Sequence, residues 1–133
     1  MGVAIFIHVE YKHRKKKYYH SNEEFNLCRH IDLFRVMGLP SRSINPLYPC
    51  RGLPGNVTLE TYKEYAADKP DFHDASWLST DEFQSCIDYV RDVLYENDDD
   101  PGELLQEYQN ICNLMKESDL EGEHARIVFW FMC

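Results

Sequence analysis

At 133 residues the chain accommodates one domain, because halving it would leave two pieces too small for independent cores. Hydrophobic residues at 44% and aromatics at 14%, spaced regularly along the chain, supply a packed interior and exclude a disordered composition. The net charge of -9 is unevenly spread: residues 1–59 carry nine Lys/Arg against four Asp/Glu, and residues 60–123 carry four against nineteen. An acidic half of this kind repels nucleic acid and attracts basic protein surfaces, including those built to hold nucleic acid. The bland alternative is that the helices simply keep acidic, solvated outer faces.

No window approaches the roughly 20 apolar residues of a membrane span, so no membrane partner is expected. Met1 to Val9 is apolar but short, lacks a preceding basic residue, and does not read as a signal peptide. A reducing, cytoplasmic setting is therefore expected. Cys28, Cys50, Cys86, Cys112 and Cys133 are odd in number and widely spaced, which favours buried or free thiols over a disulfide frame or zinc site.

Val3 to Tyr11 alternates, with Val3, Ile5, Ile7, Val9 and Tyr11 on one apolar face, and predicts a strand. Lys12, Arg14, Lys15, Lys16 and Lys17 cluster at the following turn, and Lys17 to His20 reads as a short returning strand. This basic tip suits a solvated turn that blunts an edge, with nucleic-acid contact as the alternative. Ser21 and Glu24 have capping-box spacing, which predicts a helix running to Met37. A long Pro/Gly-containing loop follows, to Asn56. Thr58 is placed to cap a short helix carrying Leu59, Tyr62 and Tyr65. Asp68 to Ser76 reads as a polar connection, and Trp77-Leu78 as a return to the core.

Ser79 with Glu82 is the clearest helix start, flanked by Leu78 and Phe83 as a hydrophobic staple. Phe83, Cys86, Ile87, Val90, Val93 and Leu94 keep helical spacing to about residue 96. Asp100, Pro101 and Glu103 open a second helix with Leu104, Tyr108, Ile111, Cys112 and Met115 as its apolar stripe. Ile127 to Met132, continuously apolar and uncapped, predicts a central strand beside the first. The expected fold is a single α+β domain, residues 1–133. Its small antiparallel-rich sheet combines the N-terminal hairpin with the C-terminal strand. Helices pack on one face and include an acidic helical hairpin.

No nucleophile elbow, P-loop, dinucleotide fingerprint, zinc spacing or EF-hand loop is present, and neither cofactor nor metal is expected. Asp71, His73 and Asp74 are the candidates for acid–base or metal chemistry, although such residues equally satisfy backbone groups in capping turns. Arg51 offers two readings, an anion contact or a pairing with the acidic helices.

Several segments recur in a characteristic order. They are Met1-Gly2-x-x-Ile5 with Val9-Glu10, Arg29-x-x-Asp32-Leu33-Phe34, Arg51-Gly52-Leu53-Pro54-x-x-Val57, His73-x-x-Ser76-Trp77-Leu78 and Arg126 to Phe131. In this the chain resembles a family of small bacteriophage and prophage proteins. Members open Met-Gly-Cys-Asp-Ile-His and carry Arg-Gly-Leu-Pro and His-Ser-x-Ser-Trp-Leu-Thr. Val3, Ala4 and Phe6 replace the Cys, Asp and His of that opening, and Asp74 stands where a serine is usual. The resemblance implies a shared fold and a setting in the bacterial host cytoplasm, with no activity to carry over.

Three functions follow as expectations. The first is a non-enzymatic, anti-CRISPR-like inhibitor of a host complex that handles nucleic acid. It would meet a host protein's basic surface through Glu82, Asp88, Asp92, Glu96, Asp98, Asp99, Asp100, Glu103 and Glu107, without touching nucleic acid itself. The second is a binder that sequesters a nucleotide signal in a pocket of Arg51, His73, Ser76 and Trp77. The third and weakest is a metal-dependent hydrolase using His73, Asp71 and Asp74. A homodimer through a sheet edge or the apolar C-terminus is also open.

Overall fold

A computed structural model describes residues 3–13, 20–26, 30–67, 72–94 and 102–132. The alternation of the N-terminal segment produces β1 (Ala4–His13), which pairs on one side with β2 (His20–Asn26) and on the other with β4 (Glu123–Met132). Strand β3 (Phe72–Ser79) pairs with the far side of β4, giving an antiparallel sheet of order β2-β1-β4-β3. The apolar run at the C-terminus is thus a central strand beside the first, as expected. Its ten-residue register runs from Ala4↔Met132 to His13↔Glu123.

Two expectations give way here. The capping-box spacing of Ser21 and Glu24 does not open a helix: both lie in β2, and α1 spans only Ile31–Met37. Its N-cap is His30, whose Nδ1 accepts from Leu33 N at 3.3 Å. The returning strand is described as His20–Asn26, and the basic turn at residues 14–17 and the expected strand residues 17–19 lie outside the described residues. Cap spacing alone does not fix a helix, and ladder pairing along β1, with a register shift between Val9 and Glu10, makes this segment a strand. The supposed polar connection from Asp68 to Ser76 likewise contains most of β3. A bulge between His73 and Ser76, with Asp74 at φ 55°, breaks the strand period and hid it from the sequence.

Helix α2 (Leu59–Ala67) is capped by Thr58, whose Oγ1 accepts from Thr61 N at 3.2 Å. Helix α3 (Thr80–Tyr89) begins with the complete Ser79–Glu82 capping box and continues as a π-helical turn, Val90–Leu94. Helix α4 (Gly102–Leu120) packs against it in the expected antiparallel sense, with Thr80 facing Cys112 and Gln84 facing Gln109. The proposed cap at Asp100 and Pro101 lies outside the described residues. Among the described residues, no helix is long and apolar enough to cross a membrane.

The larger core lies between one sheet face and α1, α3 and α4. There Ile7, Val9, Ile127, Phe129 and Phe131 meet Leu33, Phe34, Phe83, Ile87, Tyr108 and Met115. The opposite sheet face carries a second, aromatic core around Trp130, whose ring lies 5.5 Å from Phe72 and 5.2 Å from Tyr65 of α2. That face is covered by α2 and by Leu53 and Val57 of the preceding loop. Truncating fully buried Trp130 to alanine would cost about 3–5 kcal/mol.

Candidate functional site

Strand pairing sets Glu10 opposite Arg126 on the second face of the sheet, where both are buried. Arg126 donates to Glu10 Oε1 through Nε at 2.8 Å and Nη2 at 2.6 Å. It also reaches Asn56 Oδ1 through Nη1 at 2.8 Å. Glu10 Oε2 accepts from Thr58 N at 3.0 Å and Thr58 Oγ1 at 2.7 Å. This cluster joins two strands to the N-terminus of α2, and its polar atoms are consumed internally. Sequence reasoning missed it. The only available signal was two opposite charges set within otherwise strand-like runs.

The loop before α2 runs beside the bulge of β3. Gly52 N donates to Ala75 O at 2.8 Å, Arg51 N to Ser76 Oγ at 3.0 Å, and Cys50 Sγ to Ala75 O at 2.9 Å. These bonds bring Arg51, Ser76 and Trp77 together, as the ligand-pocket reading required. The Arg51 guanidinium lies 4.6 Å from the centre of the Trp77 ring and 5.3 Å from that of Tyr48. Its charge is committed, however. Arg51 makes a bidentate pair with Glu82 of α3 (2.8 Å from Nη1 to Oε1, and Nη2 to Oε2) and donates to Trp77 O at 3.1 Å. The two-pronged bond from Arg51 holds the Glu82 carboxyl down to about 2. Of the two readings of Arg51, the structure has the pairing with an acidic helix.

His73 does not join that cluster. Its Nδ1 lies 2.6 Å from Asp74 Oδ2 at the bulge, and its ring centre is 6.3 Å from that of Phe131. Asp71 lies outside the described residues, so the proposed trio is represented by a His73–Asp74 pair. Trp77 is half-buried against the second core, while its neighbour Leu78 is fully buried in the first. Among the described residues, no three His, Cys, Asp or Glu side chains converge as metal ligands.

The acidic candidates divide. Glu82 is engaged by Arg51, and Glu107 is half-buried on α4. Glu96, Asp98, Asp99 and Asp100, and the side chain of Glu103, lie outside the described residues. Asp88 and Asp92 line an open groove of about 330 Å³ together with Leu47, Ser85, Tyr89 and Val93. Leu47 comes from the loop after α1, anchored by Leu47 N donating to Val36 O at 2.9 Å, and it remains solvent-exposed, as does Val93. Arg91 bridges the two carboxylates, with Nη2 2.8 Å from Asp88 Oδ1 and Nε 3.0 Å from Asp92 Oδ1. The adjacent guanidinium lowers the pKa of Asp92. The groove therefore combines exposed aliphatic surface with carboxylates already arranged around one guanidinium.

No family model, curated protein or solved structure matches the chain.

Proposed function

We propose that this protein is a non-enzymatic binding protein that uses the groove between Leu47 and α3 to engage a basic segment of another protein. The observation that carries the reading is the pairing of exposed Leu47 and Val93 with Asp88 and Asp92 in one groove. A partner side chain with an aliphatic stem and a cationic head matches both halves of that lining. Arg91 already pairs with both carboxylates, so a partner's guanidinium or ammonium would share or displace that contact. The strong negative balance of residues 60–123 supplies long-range attraction toward such a surface.

Combined with the resemblance to bacteriophage and prophage proteins, the reading becomes an inhibitor of a host complex that handles nucleic acid or acts in defence. The protein would occupy basic surface that otherwise holds phosphates. The nucleotide-sequestering alternative is less well supported, because Glu82 already fills the fork of Arg51 that a phosphate would need.

The test is co-purification from bacterial lysate, comparing the wild type with a D88K/D92K variant. Wild type is expected to retain a host protein with a basic nucleic-acid surface, to release it as salt rises, and to block its nucleic-acid binding. The variant is expected to lose retention while keeping the wild-type melting temperature within a few degrees. Equal retention by both proteins would overturn the proposal.

A further inference from the structure

Strand pairing fixes where the basic run of the chain leaves the sheet and where it returns. His13 pairs with Glu123 and Tyr11 with His20, so both points lie at the end where β4 starts. Residues 14–19 lie outside the described residues, but their sequence is Arg14, Lys15, Lys16 and Lys17 followed by Tyr18 and Tyr19. No Asp or Glu occurs from Lys12 to His20.

Helix α3 starts at the same end, since Ser79 pairs with Arg126 near the beginning of β4. Antiparallel α4 returns to that end and leads into β4, where Asp119 Oδ1 accepts from Ala125 N at 3.0 Å. Helix α3 therefore carries Asp88 away from the basic run, about 12 Å beyond Thr80 at the usual helical rise. The groove of Leu47, Ser85, Asp88, Tyr89, Asp92 and Val93 opens there. A segment as short as 14–19, leading out and back, reaches only about 10 Å from the sheet. The basic run of one chain thus cannot enter the groove of that same chain, whereas the run of another copy can.

The two surfaces match in kind. Leu47 and Val93, 38% and 52% exposed, offer aliphatic contact to lysine stems and tyrosine rings, with Asp88 and Asp92 beside them for the cationic heads. Arg91 offsets part of that charge, yet the Asp92 side chain remains 62% exposed, and Glu96, Asp98, Asp99 and Asp100 follow it in sequence. The uneven charge of the two halves of the chain turns the basic end of one copy toward the acidic part of the next.

We propose that the groove of one copy binds the basic run at residues 14–19 of a second copy, joining copies head to tail. The inference rests on the groove being a receptor for basic segments, and it adds a regulator: another copy competes with the outside partner for the same residues. Donor run and receiving groove are different surfaces, so the contact is heterologous and can extend beyond a dimer.

Sedimentation of the full chain at rising concentration in low salt is the test. Wild type is expected to exceed the monomer mass, to pass the dimer as concentration rises, and to return to monomer in high salt. R14S/K15S/K16S/K17S lacks the donor run and D88K/D92K lacks the receiving groove, and each alone should stay monomeric while melting as wild type does. Mixed in equal amounts, the two variants should form a dimer and nothing larger, because each supplies the surface the other has lost. A wild type that stays monomeric in low salt overturns the inference, as does either variant assembling like wild type or a mixture that remains monomeric. The serine variant keeps its groove and should retain the host protein as wild type does. Retention without self-assembly therefore strikes this inference alone, whereas retention undiminished in D88K/D92K strikes the reading of the groove itself.

Discussion

Arg126 places two of its N–H donors on a single oxygen of Glu10, at 2.8 and 2.6 Å, with side-chain exposures of 7% and 0%. The other Glu10 oxygen and the remaining guanidinium face are taken by Thr58 and Asn56, so the pair lies at the centre of a closed polar network. Two strands and the start of α2 therefore depend on one another through these charges.

Removing one member leaves the other buried and uncompensated, and R126M is expected to lose about 3–5 kcal/mol of unfolding free energy. Replacing both, as E10L/R126M, should recover a substantial part of that loss, because an apolar pair requires no desolvated charge. Urea denaturation of the two single variants and the double gives the coupling. Additive losses would show that the two charges act independently.

The Arg51–Glu82 pair links the loop after α1 to the first turn of α3. Its folded-state carboxyl pKa of about 2 lies below the ordinary value of 4.5. A lowered folded pKa stabilises above the unfolded value and loses that contribution as pH falls through the folded one. The E82Q variant preserves capping-box geometry while deleting the charge. Wild type should exceed it by about 1 kcal/mol above pH 5, a modest figure because the pair is partly water-screened, and the difference should vanish toward pH 2. A gap unchanged between pH 7 and pH 2 would contradict the assignment.

Asp74 is the only non-glycine residue with positive φ among those described, at 55°. Asparagine tolerates that backbone, and D74N should be close to neutral in melting temperature. A β-branched residue does not tolerate it, so D74V is expected to cost about 1–2 kcal/mol and to loosen the bulge that positions Ser76 beside Arg51 N. Amide exchange at Arg51 and Gly52 reads the second effect directly.

The thiols provide a check on burial. Desolvation pushes Cys86 up to about 12 and Cys112 up to about 11, whereas Cys50 is exposed in the loop beside β3. Brief alkylation of native protein at pH 8, followed by peptide mapping, should modify Cys50 and spare Cys86 and Cys112 until denaturant is added. Native labelling of Cys86 would mean that α3 does not pack as described.

How much was legible in advance varies from element to element, and for identifiable reasons. Ser79 with Glu82, Thr58, the alternation of β1 and the run at Ile127 to Met132 are short-range signals: a cap, a period or a continuous apolar segment requires no knowledge of distant residues. They established the α+β class, the α3 start and the central place of β4. The segment from Ser21 to Asn26 has cap spacing, which alone does not fix a helix, and its partner strand β1 makes it a strand. The sites were harder still. Sequence singled out Arg51 but left its partner open, although Glu82 was named elsewhere as an acidic contact. Only tertiary packing brings residues 31 positions apart into one bidentate pair, sets Glu10 against Arg126 across the sheet, and turns Leu47 toward Asp88 and Asp92. Composition and periodicity specify which surfaces must be buried, whereas the pairing of polar groups depends on which buried surfaces come to face each other.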